Sequence, residues 1–331
     1  MAKLIGKKRN DGTLVNDIEP ITRLMPYIMR GRNESAVFIR KSIDITNIQT
    51  YIRQQRKEGR RVTLFNIFVT ALLHTLHARP RLNRFVAGRR IYQHNCKDVS
   101  YVVKRSFTDD SSETVARIVL NEDDNLFTVA DAMLEDIRAL KEEEDPDKAD
   151  DKLMSLLARL PRWANRFAVA FVRWLDFHGL LSEDFQQDIP LYSSIFVSHI
   201  GSLGAEAPFH HLYELGTTSI FITIGKVYDK PTKTSDGGVE WRKAVDLNFT
   251  VDERICDGYY FIKSLRLLEE LLENPELLEM SPVAADQLRA EEKARKAAEK
   301  AEQDARKEEK RRQAILDEDQ QAEDMDAFVL P

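Results

Sequence analysis

Apolar positions along the chain change period repeatedly, and each change marks an element. "AVFIRKSI" (Ala36–Ile43) is read as an alternating strand. "DIT" then supplies Asp and Thr as helix starts, and Gly59 a stop. "VTLFNIFVTALLHTLHA" is apolar almost all round, which predicts a buried helix ending before Pro80. "RFVAGRRIYQ" reads as a hairpin around Gly88, and "VSYVVKRSF" and "SSETVARIVL" as strands. "NLFTVADAMLEDIRALKEEEDPDKADD" reads as a helix running into an acidic linker. Further strands are "SSIFVSHIG", "TTSIFITIGKVY" and "WRKAVDLNFTVD", with "TSDGG" as the turn between the last two. A helix over Gly258–Leu272, closed by "NPELL", ends the core. The mixture is α/β, with too few regular β-α alternations for a doubly wound sheet.

Two segments break this pattern. In "LMSLLARLPRWANRFAVAFVRWLDFHGLL" (Leu153–Leu181), Pro161 suits the first turn of a helix. At about 100° per residue, Arg159, Arg162, Arg166 and Arg173 fall on one stripe. Trp163, Phe167, Phe171 and Trp174 lie beside it. Basic residues flanking aromatics are the composition of an interfacial membrane helix. The alternative, and the reading preferred on sequence, is a lid packed on the core or on a subunit interface. From Pro282 onward the chain holds ten Lys/Arg and fourteen Asp/Glu with high helix propensity and no leucine heptad. That predicts a solvated charged helix; its alternative is a partner-docking arm ending in "MDAFVLP".

Composition narrows the class. The 331 residues, 43% hydrophobic, suffice for a sizeable core, and the net charge of −6 sits mostly in the tail. No field of positive charge argues for nucleic acid. Two cysteines, Cys96 and Cys256, suit a reducing compartment and exclude a cysteine-rich zinc site. With no apolar leader and no spanning run, the expectation is a cytoplasmic protein, peripheral at a membrane surface only through residues 159–174. No compact set of carboxylates and histidines suggests a metal.

Several motifs, in order, resemble the catalytic domain of the dihydrolipoyl acyltransferases of 2-oxo acid dehydrogenase complexes and the related chloramphenicol acetyltransferases. They are "EPITRLMPYIMRGRNESAVFIRKSIDIT", "TLFNIFVTALLHTLHARPRLNRFVAGRRI", "SIFVSHIGSLG", "TTSIFITIGKV" and "VDERICDGYYFIKSLRLLEELLENPELL". The last matches D-H-R-x-x-D-G. The resemblance implies a two-layer α/β sandwich with a mixed sheet, the coenzyme A-dependent acyltransferase fold, assembled as a homotrimer. It implies coenzyme A, as acyl-CoA, for a co-substrate, and a site at the subunit interface. Carried over, the oxyanion hydroxyl is Ser198, the motif aspartate is Asp257 and the arginine is Arg254. The base position holds Glu253 where the family has histidine. No lipoyl domain is expected before the core. The organisation read is an N-terminal arm (1–18), an acyltransferase-like domain (19–281, with the aromatic insert 153–181) and the charged tail (282–331).

Each site residue has a plainer reading. An imidazole titrates near 7, whereas a solvated glutamate has a pKa of about 4.3 and is a weak base. Glu253 is therefore either a general base or the partner of an arginine. Ser198 is either an oxyanion donor or a backbone-bonded strand serine. Asp257, before a glycine at a strand-to-helix turn, reads as an N-cap. His199 is adjacent to Ser198 but must face the other side of a strand. "HHLYELG" (His210–Gly216) lies too early to be the base motif, and His74 and His77 suit a core helix. The function read is acyl transfer from acyl-CoA to an unidentified acceptor. The alternative is a non-catalytic relative serving as a trimeric scaffold.

Overall fold

In the computed structural model, residues 9–104, 113–142 and 159–328 are described. The early part of the linker, 143–150, and residues 153–158 of the aromatic block lie outside them. These residues form nine strands and eight α-helices. The strands are β1 (Gly12–Leu14), β2 (Ala36–Asp44), β3 (Arg84–Ala87), β4 (Arg90–His94), β5 (Asp98–Lys104), β6 (Glu113–Val119), β7 (Ile195–His199), β8 (Ile220–Lys233) and β9 (Val239–Asp252). The helices are α1 (Pro20–Ile28), α2 (Thr46–Lys57), α3 (Leu64–Ala78), α4 (Leu126–Glu142), α5 (Arg162–His178), α6 (Glu183–Asp188), α7 (Gly258–Glu273) and α8 (Pro282–Phe328).

The longer strands form one mixed sheet in the order β2-β9-β8-β7-β5-β6. The β5–β7 and β7–β8 pairs are parallel and the other pairs antiparallel. Alternation along the strands decides the layers. Ile195, Val197, Ile220, Ile222, Leu247 and Phe249 face one side, where α2, α3, α4 and α7 cover them. Phe196 and Phe221 face the other side with Leu212. The expected two-layer mixed-sheet sandwich is thus the observed one. Helix α3 begins at a capping box, in which Thr63 accepts from Asn66 N and the Asn66 side chain accepts from Thr63 N. Eleven of its fifteen residues are buried, as an all-round apolar helix requires.

A small sheet, β1-β4-β3, stands apart from the main one. It draws in the N-terminal arm: β1 pairs with β4, and Arg9 bonds Asp11 and Asp176. The hydrophobic pattern signals neither β1 nor α1, because β1 has three residues and α1 leaves its apolar side chains uncovered. Ile21, Leu24, Tyr27 and Ile28 are all exposed. Helix α5 likewise has no fully buried residue. Trp163, at 74%, and Phe167, at 71%, face outward, so within one chain α5 does not enclose its aromatics as a packed lid would.

By backbone contacts the chain divides into Met1–Pro282 and Val283–Pro331. In the second unit Ala285 is buried, and every residue from 290 to 308 is exposed. Deleting residues 290–331 is expected to leave the thermal midpoint of the remainder within about 2 °C of the full chain, read by circular dichroism.

His94 on β4 is fully enclosed against Phe85. Burial lowers its pKa from 6.5 to about 4, and the carboxylates Asp98 and Asp11 only partly offset this. An unfolded chain binds a proton here below pH 6.5, whereas the folded chain does so only near pH 4, so stability is lost as the pH is lowered from about 6.5 towards 4. At pH 5 the loss is about 2 kcal/mol. Urea unfolding at pH 7 and pH 5 is expected to show this difference in the wild type and a smaller one in His94→Gln.

Candidate functional site

The turn after β9 is built around one buried ion pair. Asp252 and Arg254 are 0% and 2% exposed. The Arg254 fork donates to both carboxylate oxygens of Asp252, at 2.8 and 2.7 Å, and its third nitrogen donates to Met29 O at 3.0 Å. Ser35 Oγ donates to Asp252 Oδ1 at 2.8 Å, and Glu253 N donates to Ser35 O at 2.9 Å. The start of β2 and the end of α1 are therefore tied to this turn. A buried arginine–carboxylate pair of bidentate geometry is the arrangement that can survive burial, since neither partner is left uncompensated.

Arg254 thus has Asp252, and not Glu253, as its carboxylate. Fixed between two buried neighbours, Glu253 points outward and is exposed. Among the described residues its carboxylate makes no hydrogen bond or ion pair. It lies on a groove of about 550 Å³ formed by the segment 17–25, the turn 253–258, Arg81 and Arg84. Arg84 Nε is buried there without an acceptor. Burial, with the Arg81 charge nearby, lowers the Arg84 pKa. The groove therefore holds the free Glu253 carboxylate together with Arg84, whose Nε has no acceptor. Cys256 also lines it, but burial pushes its thiol up to about 12, with Asp257 adding to the effect. A thiol held protonated is a poor nucleophile.

Asp257 caps α7: Tyr260 N donates to its Oδ1 at 2.8 Å. Its other oxygen lies 3.6 Å from Arg81. The N-cap reading holds, and a weak surface ion pair is added to it.

Ser198 lies elsewhere. It is half-buried on the sheet face away from the helices, paired in register with Thr223, which in turn pairs with Asn248. Thr223 Oγ1 donates to Pro208 O, and Asn248 Nδ2 donates to Ala207 O at 2.7 Å, so the segment after β7 crosses this face. The close packing of this segment demands Gly201, where a Cβ would lie 2.1 Å from Gly225 O. Strand spacings place Ser198 roughly 19 Å from Glu253 within one chain, too far for a shared proton or substrate atom. His199 points to the opposite face, stacked on Phe65 at 5.3 Å, and burial lowers its pKa. His210 stacks on Phe221 at 3.9 Å, and its Nδ1 bonds His211 O. Neither histidine reaches the groove lined by Glu253. Ser35, which bonds Asp252 and so helps to fix the turn, has only the "MRGRNES" stretch as a local signal in the sequence.

Among the described residues no group of His, Cys, Asp and Glu is placed to hold a metal ion, and no helix is long and apolar enough to cross a membrane.

Residues 186–280 match the family described as 2-oxoacid dehydrogenases acyltransferase (catalytic domain). No curated protein gives a significant match. The cubic core of the pyruvate dehydrogenase multienzyme complex aligns with TM-score 0.52 at 16% identity, covering 80% of this chain and 94% of that one. The dihydrolipoamide acetyltransferase of Azotobacter vinelandii aligns with the same score, identity and coverage. That structure was studied for the role of a serine, and of a histidine and an asparagine four residues apart, in its catalytic mechanism. A chloramphenicol acetyltransferase aligns with TM-score 0.48 at 12% identity, covering 79% and 99%. The resemblance carried by the motifs is thus found again, and the fold is that of the acetyltransferase cores.

The ion pair and the exposed glutamate separate cleanly by mutation. Asp252→Asn leaves the buried Arg254 charge uncompensated and is expected to cost about 3–5 kcal/mol in urea unfolding. Glu253→Gln is expected to stay within about 0.5 kcal/mol of the wild type.

Proposed function

We propose that the protein is an acyltransferase that moves an acyl group from an acyl-CoA thioester to a thiol or hydroxyl acceptor, with Glu253 as general base. The carrying observation is Glu253 itself: exposed on a groove, free of any ion pair among the described residues, and aimed outward by the buried Asp252–Arg254 pair. It stands within the segment that matches an acyltransferase catalytic domain. Glu253 and Asp257 also keep the four-residue spacing of the histidine and asparagine studied in the Azotobacter vinelandii enzyme.

In this reading Glu253 takes the proton of the acceptor as its sulfur or oxygen attacks the thioester carbonyl. Ser198 donates to the oxyanion, the carbon–sulfur bond breaks, and the departing thiolate takes the proton back from Glu253. Because Ser198 and Glu253 are separated within one chain, the serine is supplied by a second subunit. A homotrimer of the kind expected from the resemblance meets that need. The exposed apolar residues of α1, beside the groove, and Phe38 on the edge strand β2 are surfaces such an assembly would cover.

Glu253→Gln keeps the shape and removes the proton acceptor. It is expected to lower the turnover of acyl-CoA by about 100-fold or more while light scattering shows an unchanged oligomer. Turnover that survives the change sinks the base assignment. Ser198→Ala is expected to lower turnover as well, and mixing it with Glu253→Gln is expected to restore part of the activity, because mixed oligomers contain intact composite sites. Failure of this complementation, with both variants oligomeric, overturns the shared site.

A further inference from the structure

A second cavity, of about 220 Å³, opens at the C-terminal end of α1. Five arginines line it: Arg30, Arg32, Arg89, Arg173 and Arg254. Two acids share the wall, but both are engaged. Asp176 holds Arg9 at 2.8 Å, and Glu214 accepts from the backbone of Arg32 and Asn33. Arg254 is matched to Asp252. Among the described residues, Arg30, Arg89 and Arg173 have no carboxylate partner.

Arg32 makes the cavity more than a solvated basic patch. It is buried, and its guanidinium donates to the carbonyl oxygens of Val86, Tyr213, Glu214 and Gly216, all neutral acceptors. Its Nε is buried without an acceptor. A buried cation with an orphaned donor is costly unless something else completes it.

Arg89 is the second anomaly. It adopts φ +59°, the left-handed region that disfavours a side chain, directly after Gly88 at φ +56°. A two-residue hairpin turn with both φ values positive favours Asn-Gly, so glycine would be the relaxed choice at position 89. Instead an arginine is held there, its guanidinium 5.5 Å from the Tyr27 ring. The frame around it is rigid: a Cβ on Gly88 would lie 2.5 Å from Phe177 O, so the hairpin tip and the last turn of α5 meet backbone to backbone.

The guanidinium forks of Arg30, Arg89 and Arg173, brought to one cavity from separate elements, suit tetrahedral oxyanions, which accept several charge-assisted bonds at once. One carboxylate would satisfy one fork and leave the others. We propose that this arginine cavity binds the phosphate or diphosphate group of a small molecule. The cavity does not depend on acyl transfer, and its occupancy is read without turnover. Two sources carry such a group: a soluble phosphoester, coenzyme A included, and an anionic lipid headgroup. The second would lie alongside the exposed aromatic residues of α5, whose Arg173 reaches the cavity.

The test is calorimetric titration and thermal melting of the full chain with inorganic phosphate and with pyrophosphate, against chloride at equal ionic strength. Saturable binding with a raised midpoint is expected in the wild type. Arg89→Gly relieves the backbone strain, so without ligand it is expected to melt at or above the wild type. It is nevertheless expected to bind pyrophosphate at least about tenfold more weakly. Arg173→Gln, an exposed change, is expected to weaken binding similarly. Displacement of pyrophosphate by coenzyme A would assign the soluble source. Co-sedimentation with phosphatidylcholine vesicles containing phosphatidic acid, lost in Arg173→Gln and absent with phosphatidylcholine alone, would assign the lipid. No saturable binding of either anion, or equal binding in both variants, overturns the proposal.

Discussion

Arg254 and Asp252 sit where neither could stay alone. A guanidinium without a counter-ion in that position would carry its full desolvation penalty, and so would the carboxylate. Together they are matched atom to atom, and the spare capacity of each reaches out: Arg254 to Met29 O, Asp252 to the Ser35 hydroxyl. The end of α1, the start of β2 and the turn after β9 are held in one position by this pair. The aim of Glu253 follows from it, because the residue between two inward side chains in a tight turn has only solvent to face. The arginine cavity depends on it as well, since the same Arg254 forms part of that wall.

The sheet imposes a different constraint. Alternation sends Ser198 to one face and His199 to the other, and register places Ser198 level with Asn248 rather than with the turn that bears Glu253. The two residues assigned as base and oxyanion donor in the proposed acyl transfer lie far apart within one chain. Such a layout makes chemical sense only if a facing surface completes it, which is why the exposed apolar side chains of α1 and the outward glutamate belong to one functional reading. Under the proposed mechanism a lone chain would have a base without an oxyanion donor.

Helix α5 has a comparable lack of cover. Its inner residues Ala164, Ala168, Val172 and Leu175 are half-buried, and its outer arc shows aromatics on one side and arginines on the other. Arg173, on the basic stripe, lines the arginine cavity. The insert therefore does two things at once: it presents an apolar surface, and its last turn closes the wall of a cationic pocket against the β3–β4 hairpin.

The alternating and all-apolar stretches determined the layers without help from tertiary information. The strands at Ala36–Asp44 and Ile220–Lys233 and the buried helix Leu64–Ala78 form where neighbouring residues indicated them, because element type is set by local sequence. The N-cap role of Asp257 was equally legible, since capping involves residues three apart. What pairs with Arg254 was not legible in this way. Asp252 and Glu253 are both carboxylates within two residues of it, and only the direction in which the end of β9 buries its side chains selects Asp252. The cavity lay further beyond reach: its arginines come from positions 30 to 254, and none belongs to a motif with the others. Local periodicity is written in neighbouring residues and can be read from them. Convergence of distant side chains is set by how sheet, hairpin and inserted helix pack, and that exists only in the folded chain.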